Sequence, residues 1–170
     1  MNEVNLIAAT SIIIPTLNAE THIPPLIDSL CRQTVQPDEI LIIDSESDDK
    51  PAEIASGYDC VKFVGIKRKD FNHALTCDKA LRMSTGDYVI FITQDALPAD
   101  NRFIERIIYP FSLDDSIAVS TGRQIPCSDA VAFEQLVRMF CYPPVSNIRS
   151  RADIPTLGIN FLRIGLLLCV

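Results

Sequence analysis

Two aspartates, Asp44 and Asp95, each stand close behind an apolar run, in "EILIID" and "DYVIFITQD". A carboxylate in that setting can accept hydrogen bonds from a nucleobase edge or from ribose hydroxyls. It can also ligate a hard divalent cation that bridges a diphosphate. Pro15-Thr16-Leu17-Asn18 follows a first apolar run, Ser45 follows Asp44, and Gln94 precedes Asp95. Glu46, Asp48 and Asp49 read instead as a solvated acidic loop, with Asp48 or Asp49 free to cap the helix that follows. No G-x-G-x-x-G follows the first run and no G-x-x-x-x-G-K-[ST] occurs anywhere in the chain, so the usual glycine cradles for dinucleotides and triphosphates are absent.

Positioning these groups requires strands that end together. Residues 11–15 form a β-branched run stopped by proline, which reads as a buried strand. Ile23, Leu26, Ile27 and Leu30 then recur at helical spacing, with Pro24 and Pro25 tolerable in a first turn. The pattern repeats with strands at 39–44, 61–65 and 87–93 and a helix at about 72–84. Asn72 is the expected N-cap of that helix, and Gly86 is expected to close it in the left-handed conformation. Phe103, Ile104, Ile107, Ile108 and Phe111 mark another helix, 116–121 a fifth strand, and Phe133, Leu136, Val137 and Phe140 a last amphipathic helix. Strands that are apolar throughout and alternate with helices predict an α/β fold: a mostly parallel sheet flanked by helices on both faces. Ligands of such sheets bind outside the carboxyl ends of the strands, where Thr16, Asp44 and Asp95 all fall.

The 170 residues suit one domain with a real core, and 48% hydrophobic with 22% charged residues is a globular composition. A net charge of −7 argues against a nucleic-acid partner, and the short basic run Lys67-Arg68-Lys69 reads as a solvated loop, with a local cationic patch for a small anionic ligand as the alternative. Cys31, Cys60, Cys77, Cys127, Cys141 and Cys169 form no C-x-x-C pair and read as reduced core thiols of a cytoplasmic protein. The first ten residues lack the basic start of a secretory signal. The apolar tail 157–170 is interrupted by Arg163 and is shorter than the roughly 20 residues of a spanning helix.

"SIIIPTLNAETHIPPLIDSLCRQTVQPDEILIIDSESDD" and "FNHALTCDKALRMSTGDYVIFITQDALPAD" resemble the family 2 glycosyltransferases in an ordered set of motifs. "FNH", "TQDALP" and "GRQIP" are most similar to the bacterial rhamnosyltransferase branch. The resemblance implies a nucleotide-sugar-binding fold of the glycosyltransferase A type. It would form a single domain over 1–170, with a donor half at about 9–126 and a partial acceptor-side region at about 127–170. It implies transfer of a sugar, rhamnose being the candidate, from a nucleoside-diphosphate sugar to a glycan or lipid-linked acceptor. On it Thr16 and Asp44 meet the base and ribose, and Pro15, Asn18, Ser45, Asn72, His73, Asp78 and Gln94 complete the donor site. Asp95 matches the last acid of an Asp-x-Asp metal motif whose first acid is missing here, and would hold Mg²⁺ or Mn²⁺. Arg123 and Gln124 fall on the acceptor side, and Arg149 and Arg151 are candidates for an acceptor phosphate. Peripheral association with the inner face of the membrane and a homo-oligomer both stay open.

Two departures qualify the resemblance. Related sequences place an arginine where this chain has Cys77, which offers a diphosphate no positive charge. Beyond "LGIN" the chain reads "FLRIGLLLCV" and stops, without the acceptor half expected to carry the catalytic base, so the base is unassigned and a truncated donor-binding half is expected. Competing readings are a nucleotide-sugar-binding module without turnover and a nucleotidyltransferase, although the glycine- and lysine-rich first loop of the latter is absent. His73 reads as a site residue or a structural helix-start histidine, His22 as helix surface, and Cys77 as packing rather than a nucleophile.

Overall fold

The structure, a computed structural model, describes residues 8–127, 130–142, 144–148 and 150. Four strands, β1 (Thr10–Thr16), β2 (Glu39–Asp44), β3 (Val61–Gly65) and β4 (Tyr88–Phe91), form one parallel sheet in the order β3-β2-β1-β4. Helices α1 (Ile23–Cys31), α2 (Pro51–Ala55), α3 (His73–Met83), α4 (Phe103–Ile108) and α5 (Ala132–Cys141) lie between and after them.

Both central strands are apolar throughout because both of their faces are covered, and the period-two pleat divides their side chains between two cores. Ile12, Ile14, Ile40, Ile42 and Ile90 pack with Ile23, Leu26, Ile27 and Leu30 of α1, Ala55 of α2 and Ile104, Ile107 and Ile108 of α4. Ile13, Leu41 and Ile43 point the other way, toward Ala80 of α3. The α/β class with helices on both faces is therefore as expected.

Asn72 caps α3 as its sequence predicts, its Oδ1 accepting from the Leu75 N–H at 3.1 Å. Gly86 does not close that helix; Ser84, in an extended conformation, does. The reason for glycine is instead space, since a Cβ at position 86 would lie 2.6 Å from the Ser11 nitrogen and 2.9 Å from the Ala9 oxygen. The expected strand at 116–121 does not form, and Val119 is 71% exposed. Local β propensity yields a strand only where an edge and a buried face receive it, and among the described residues nothing pairs with the outer edge of β4. The helix expected through Phe111 turns into a 3₁₀ segment at Tyr109–Ser112, where Pro110 lacks the N–H an α-helix would use, and Phe111 stacks on Tyr88 with ring centroids 5.1 Å apart.

At the amino edge, opposite the predicted site, Glu39 staples the sheet. Its buried carboxylate accepts from Ser11 Oγ at 2.6 Å, Lys62 Nζ at 2.7 Å and Thr85 Oγ1 at 2.9 Å. Burial alone would raise this carboxyl. The hydrogen bonds from Lys62, Ser11 and Thr85 outweigh that and bring it down from 4.5 to about 2. Cys31 and Cys60 are half-buried with sulfurs 3.7 Å apart, and burial together with that neighbour raises the Cys31 thiol to about 11, so it stays protonated at neutral pH. Cys169 and the tail expectations lie outside the described residues.

Candidate functional site

Parallel register sets the strand ends side by side, with Thr16 opposite Asp44 and Asp44 opposite Gly65. The strand order runs outward through β1, β2 and β3 and then returns to the far side of β1 for β4, the reversal at which α/β sheets open a crevice. A cleft of about 230 Å³ lies at these strand ends. Its lining is apolar at Pro15, Leu17 and Phe71 and hydroxylic at Thr16, Ser45 and Thr93, and it carries Arg68, His73 and Gln94.

Asp44 is 5% exposed, so its charge must be met by donors. Oδ1 accepts from the Thr16 hydroxyl at 3.1 Å and from the Ser47 hydroxyl, and Oδ2 accepts from the Ser47 N–H at 2.9 Å. A carboxylate has about four acceptor directions, which leaves capacity on Oδ2. Asp44 thus organises the cleft from beneath, while Thr16 and Ser45 face it.

Glu46 and Asp48 are exposed, as their reading as a solvated loop expects, and they also tie loops together. Neither Asp48 nor Asp49 caps α2, whose N-cap is Lys50 without a side-chain bond. Glu46, at φ 56°, turns its carbonyl to the Arg68 guanidinium at 2.8 Å; Asp48 Oδ2 accepts from the same nitrogen at 3.0 Å, and the Arg68 N–H donates to Glu46 Oε2 at 3.2 Å. Asn18, at φ 51°, donates its N–H to Ser47 Oγ at 2.8 Å and accepts the Asp48 N–H on Oδ1 at 2.9 Å. Left-handed backbone suits asparagine, whose short amide bonds locally. Asp49 Oδ2 accepts the Glu20 N–H at 2.7 Å.

The predicted site residues therefore divide. Pro15, Thr16, Ser45, His73 and Gln94 line the cleft. Asp44 supports it, Asn18 shapes the loop behind β1, and Asn72 caps α3. Asp78 is paired with Arg82 one turn along α3, at 3.0 and 3.2 Å, and is not part of the lining. Asp95 is exposed beside Gln94 and makes no hydrogen bond or ion pair among the described residues. Arg123 is exposed, Gln124 is buried with Oε1 unpartnered among the described residues, and Arg149 and Arg151 lie outside the described residues.

Arg68, noted in sequence only as part of a basic run that could meet a small anionic ligand, lines the cleft. It supplies a cation where Cys77 cannot. The Cys77 sulfur lies 3.8 Å from His73 Nε2, yet burial raises the thiol, which disfavours the thiolate a nucleophile needs. Leu17, Phe71 and Thr93 were missed as lining, and Ser47 as the partner of Asp44. The acidic run in "DSESDDK" was the available signal for Arg68, because buried or crowded acids call for a cation. A second cleft of about 320 Å³ has Gly65, Lys67, Asp70 and Lys79 in its lining. Among the described residues no group of three or more His, Cys, Asp or Glu forms a ready metal cage.

The pattern of glycosyl transferase family 2 matches residues 11–160. The chain belongs to that family. It is 40% identical over 151 residues to the O-antigen chain rhamnosyltransferase RfbN of Salmonella typhimurium and 37% identical over 152 residues to the O-antigen chain rhamnosyltransferase WbaN of Salmonella anatum. Each alignment covers 88% of this chain and 48% of the relative, so the chain spans about half the length of these curated relatives. Among solved structures, a mannosyltransferase from Pyrobaculum calidifontis in complex with GDP-Man and Mn²⁺ superposes with a TM-score of 0.56 at 25% identity, over 65% of this chain and 34% of that one. The family 2 membership and this likeness bear out the glycosyltransferase A type of fold expected from the motifs.

Proposed function

We propose that this chain is the donor-binding half of a family 2 glycosyltransferase, transferring a sugar, rhamnose by analogy with its curated relatives, from a nucleoside diphosphate to a surface polysaccharide or lipid-linked acceptor. The observation that carries the reading is the cleft at the reversal of strand order, with Thr16, Ser45 and Gln94 in its lining and Asp44 hydrogen-bonded beneath it. The free acceptor capacity of Asp44 suits the N–H of a base or a ribose hydroxyl, and Phe71 and Leu17 offer the ring an apolar wall. Arg68 answers the diphosphate charge with a guanidinium already oriented by Glu46 and Asp48. The single-domain division at about residues 126 and 127 belongs to the same proposal.

A divalent cation fits only if it arrives with the diphosphate. Asp95 is an exposed, unpartnered carboxylate, and with no cage around it phosphate oxygens and water must complete the ligand set. When bound, such a cation neutralises charge on the departing diphosphate. The Mn²⁺ in the mannosyltransferase complex supports a divalent cation as the partner of the donor. No helix among the described residues is long and apolar enough to cross a membrane, and action at the cytoplasmic face belongs to the same proposal.

The coverage of half of each relative favours a second reading, donor binding without transfer. Titration with UDP, GDP and dTDP in the presence of Mg²⁺ or Mn²⁺ tests what the two readings share: binding is expected for at least one, weakened at least tenfold by Asp95→Ala. Absence of binding by all three, or indifference to Asp95→Ala, would remove the proposal. Transfer from a nucleoside-diphosphate sugar to a lipid-linked acceptor above the hydrolysis background would decide against the second reading.

A further inference from the structure

We propose that Gln94 is a positioning residue: its side-chain amide locks the loop behind β1 across the strand-order reversal, and is not itself a donor or cation ligand. The role in donor binding rests on the proposed cleft, but the lock stands on its own geometry. Gln94 Oε1 accepts the Leu17 N–H at 2.8 Å, and Gln94 Nε2 donates to the Leu17 C=O at 3.1 Å. One amide thus satisfies both backbone groups of a residue 77 positions away, as a neighbouring strand would. It continues the β1–β4 pairing beyond the ladder bond from the Ile92 N–H to the Ile13 C=O at 3.1 Å.

The remaining ties of the same loop run the other way, to the loop behind β2, through Asn18 with Ser47 and Asp48 and through Glu20 with Asp49. Gln94 therefore holds the side of the loop that these bonds leave open. Only a group that donates and accepts together can do this. A carboxylate at position 94 would take the Leu17 N–H but set an oxygen against the Leu17 carbonyl, and a methionine would satisfy neither. Asp95, next in the chain and without a partner of its own, begins its approach to the cleft from wherever this lock fixes residue 94.

The experiment compares the wild-type chain with Gln94→Glu and Gln94→Met, reading hydrogen exchange at the Leu17 amide and the Mn²⁺-dependent binding of UDP, GDP and dTDP. In the wild type the Leu17 N–H, on a residue whose side chain is well exposed, is expected to exchange at least about tenfold more slowly than an unstructured amide. That protection is expected to vanish in Gln94→Met. Nucleoside-diphosphate dissociation constants should rise about tenfold in both variants, with the half-saturating Mn²⁺ concentration unchanged in Gln94→Glu. The proposal is overturned by wild-type-like binding in Gln94→Glu, by a lower Mn²⁺ requirement in that variant, or by an unprotected Leu17 amide in the wild type. If the wild type binds none of the three nucleotides, the donor reading fails separately and Leu17 exchange alone decides the lock. If neither variant folds, the wild-type exchange rate decides it.

Discussion

At the scale of single residues, the cleft depends on matching acids with donors. Asp44 was legible from sequence because it directly follows an apolar strand, and a polar group there must either meet solvent or be held. Its holder Ser47 sits three residues on and was overlooked among the acids. Arg68 was legible only as a member of a basic run and not as a cleft residue, because its partners Glu46 and Asp48 lie 22 and 20 residues away and meet it only through the parallel register. Arg68→Ala is expected to weaken nucleoside-diphosphate binding about tenfold to hundredfold, the range for losing hydrogen bonds to a charged group, while leaving the midpoint of urea unfolding nearly unchanged because Arg68 is a surface residue. Ser47→Ala should behave differently. It strips a hydroxyl from buried Asp44, and a stability loss of about 1–3 kcal/mol by urea titration should accompany the loss of binding.

At the scale of elements, apolar runs and helical spacing disclosed every strand of the sheet and helices α1, α3, α4 and α5, because burial on two faces leaves a pattern that needs no knowledge of neighbours. What escaped was decided by contact at a distance. Gly86 looked like a helix stop but is required by the close approach of Ser11 and Ala9, and 116–121 looked like a strand but meets no edge. Gly86→Ala is accordingly predicted to cost about 1–3 kcal/mol in denaturant titration, as overpacking against backbone does; a change within about 0.5 kcal/mol would refute the close approach. The Glu39 staple gives a pH signature. Its carboxyl is lowered from 4.5 to about 2 in the folded chain, so the native state favours the ionised form. That contribution is complete above about 4.5, the unfolded value, and is lost as pH falls toward 2. Glu39→Gln should flatten the fall in stability over that window, measured by thermal unfolding at successive pH values.

At the scale of the whole molecule, polar networks hold both ends of the sheet while apolar surface collects on α5. Phe133, Leu136, Met139 and Phe140 of α5 are 77%, 66%, 63% and 89% exposed, and the alignments cover 48% of each curated relative. Replacing Phe133 and Phe140 by serine should change unfolding free energy by no more than about 0.5 kcal/mol, since neither side chain is buried in the described fold. The central claim, that the strand-end cleft receives a nucleoside diphosphate with its cation, is tested most directly by amide NMR of this 18.9 kDa chain during addition of nucleoside diphosphate, first with Mg²⁺ and then with Mn²⁺. The account predicts shift changes confined to Leu17, Ser45, Phe71, His73 and Gln94 and their neighbours, with paramagnetic broadening by Mn²⁺ strongest around Asp95. Shift changes centred instead on Ile66, Thr76 and Lys79 of the second cleft, or broadening that spares Asp95, would contradict it.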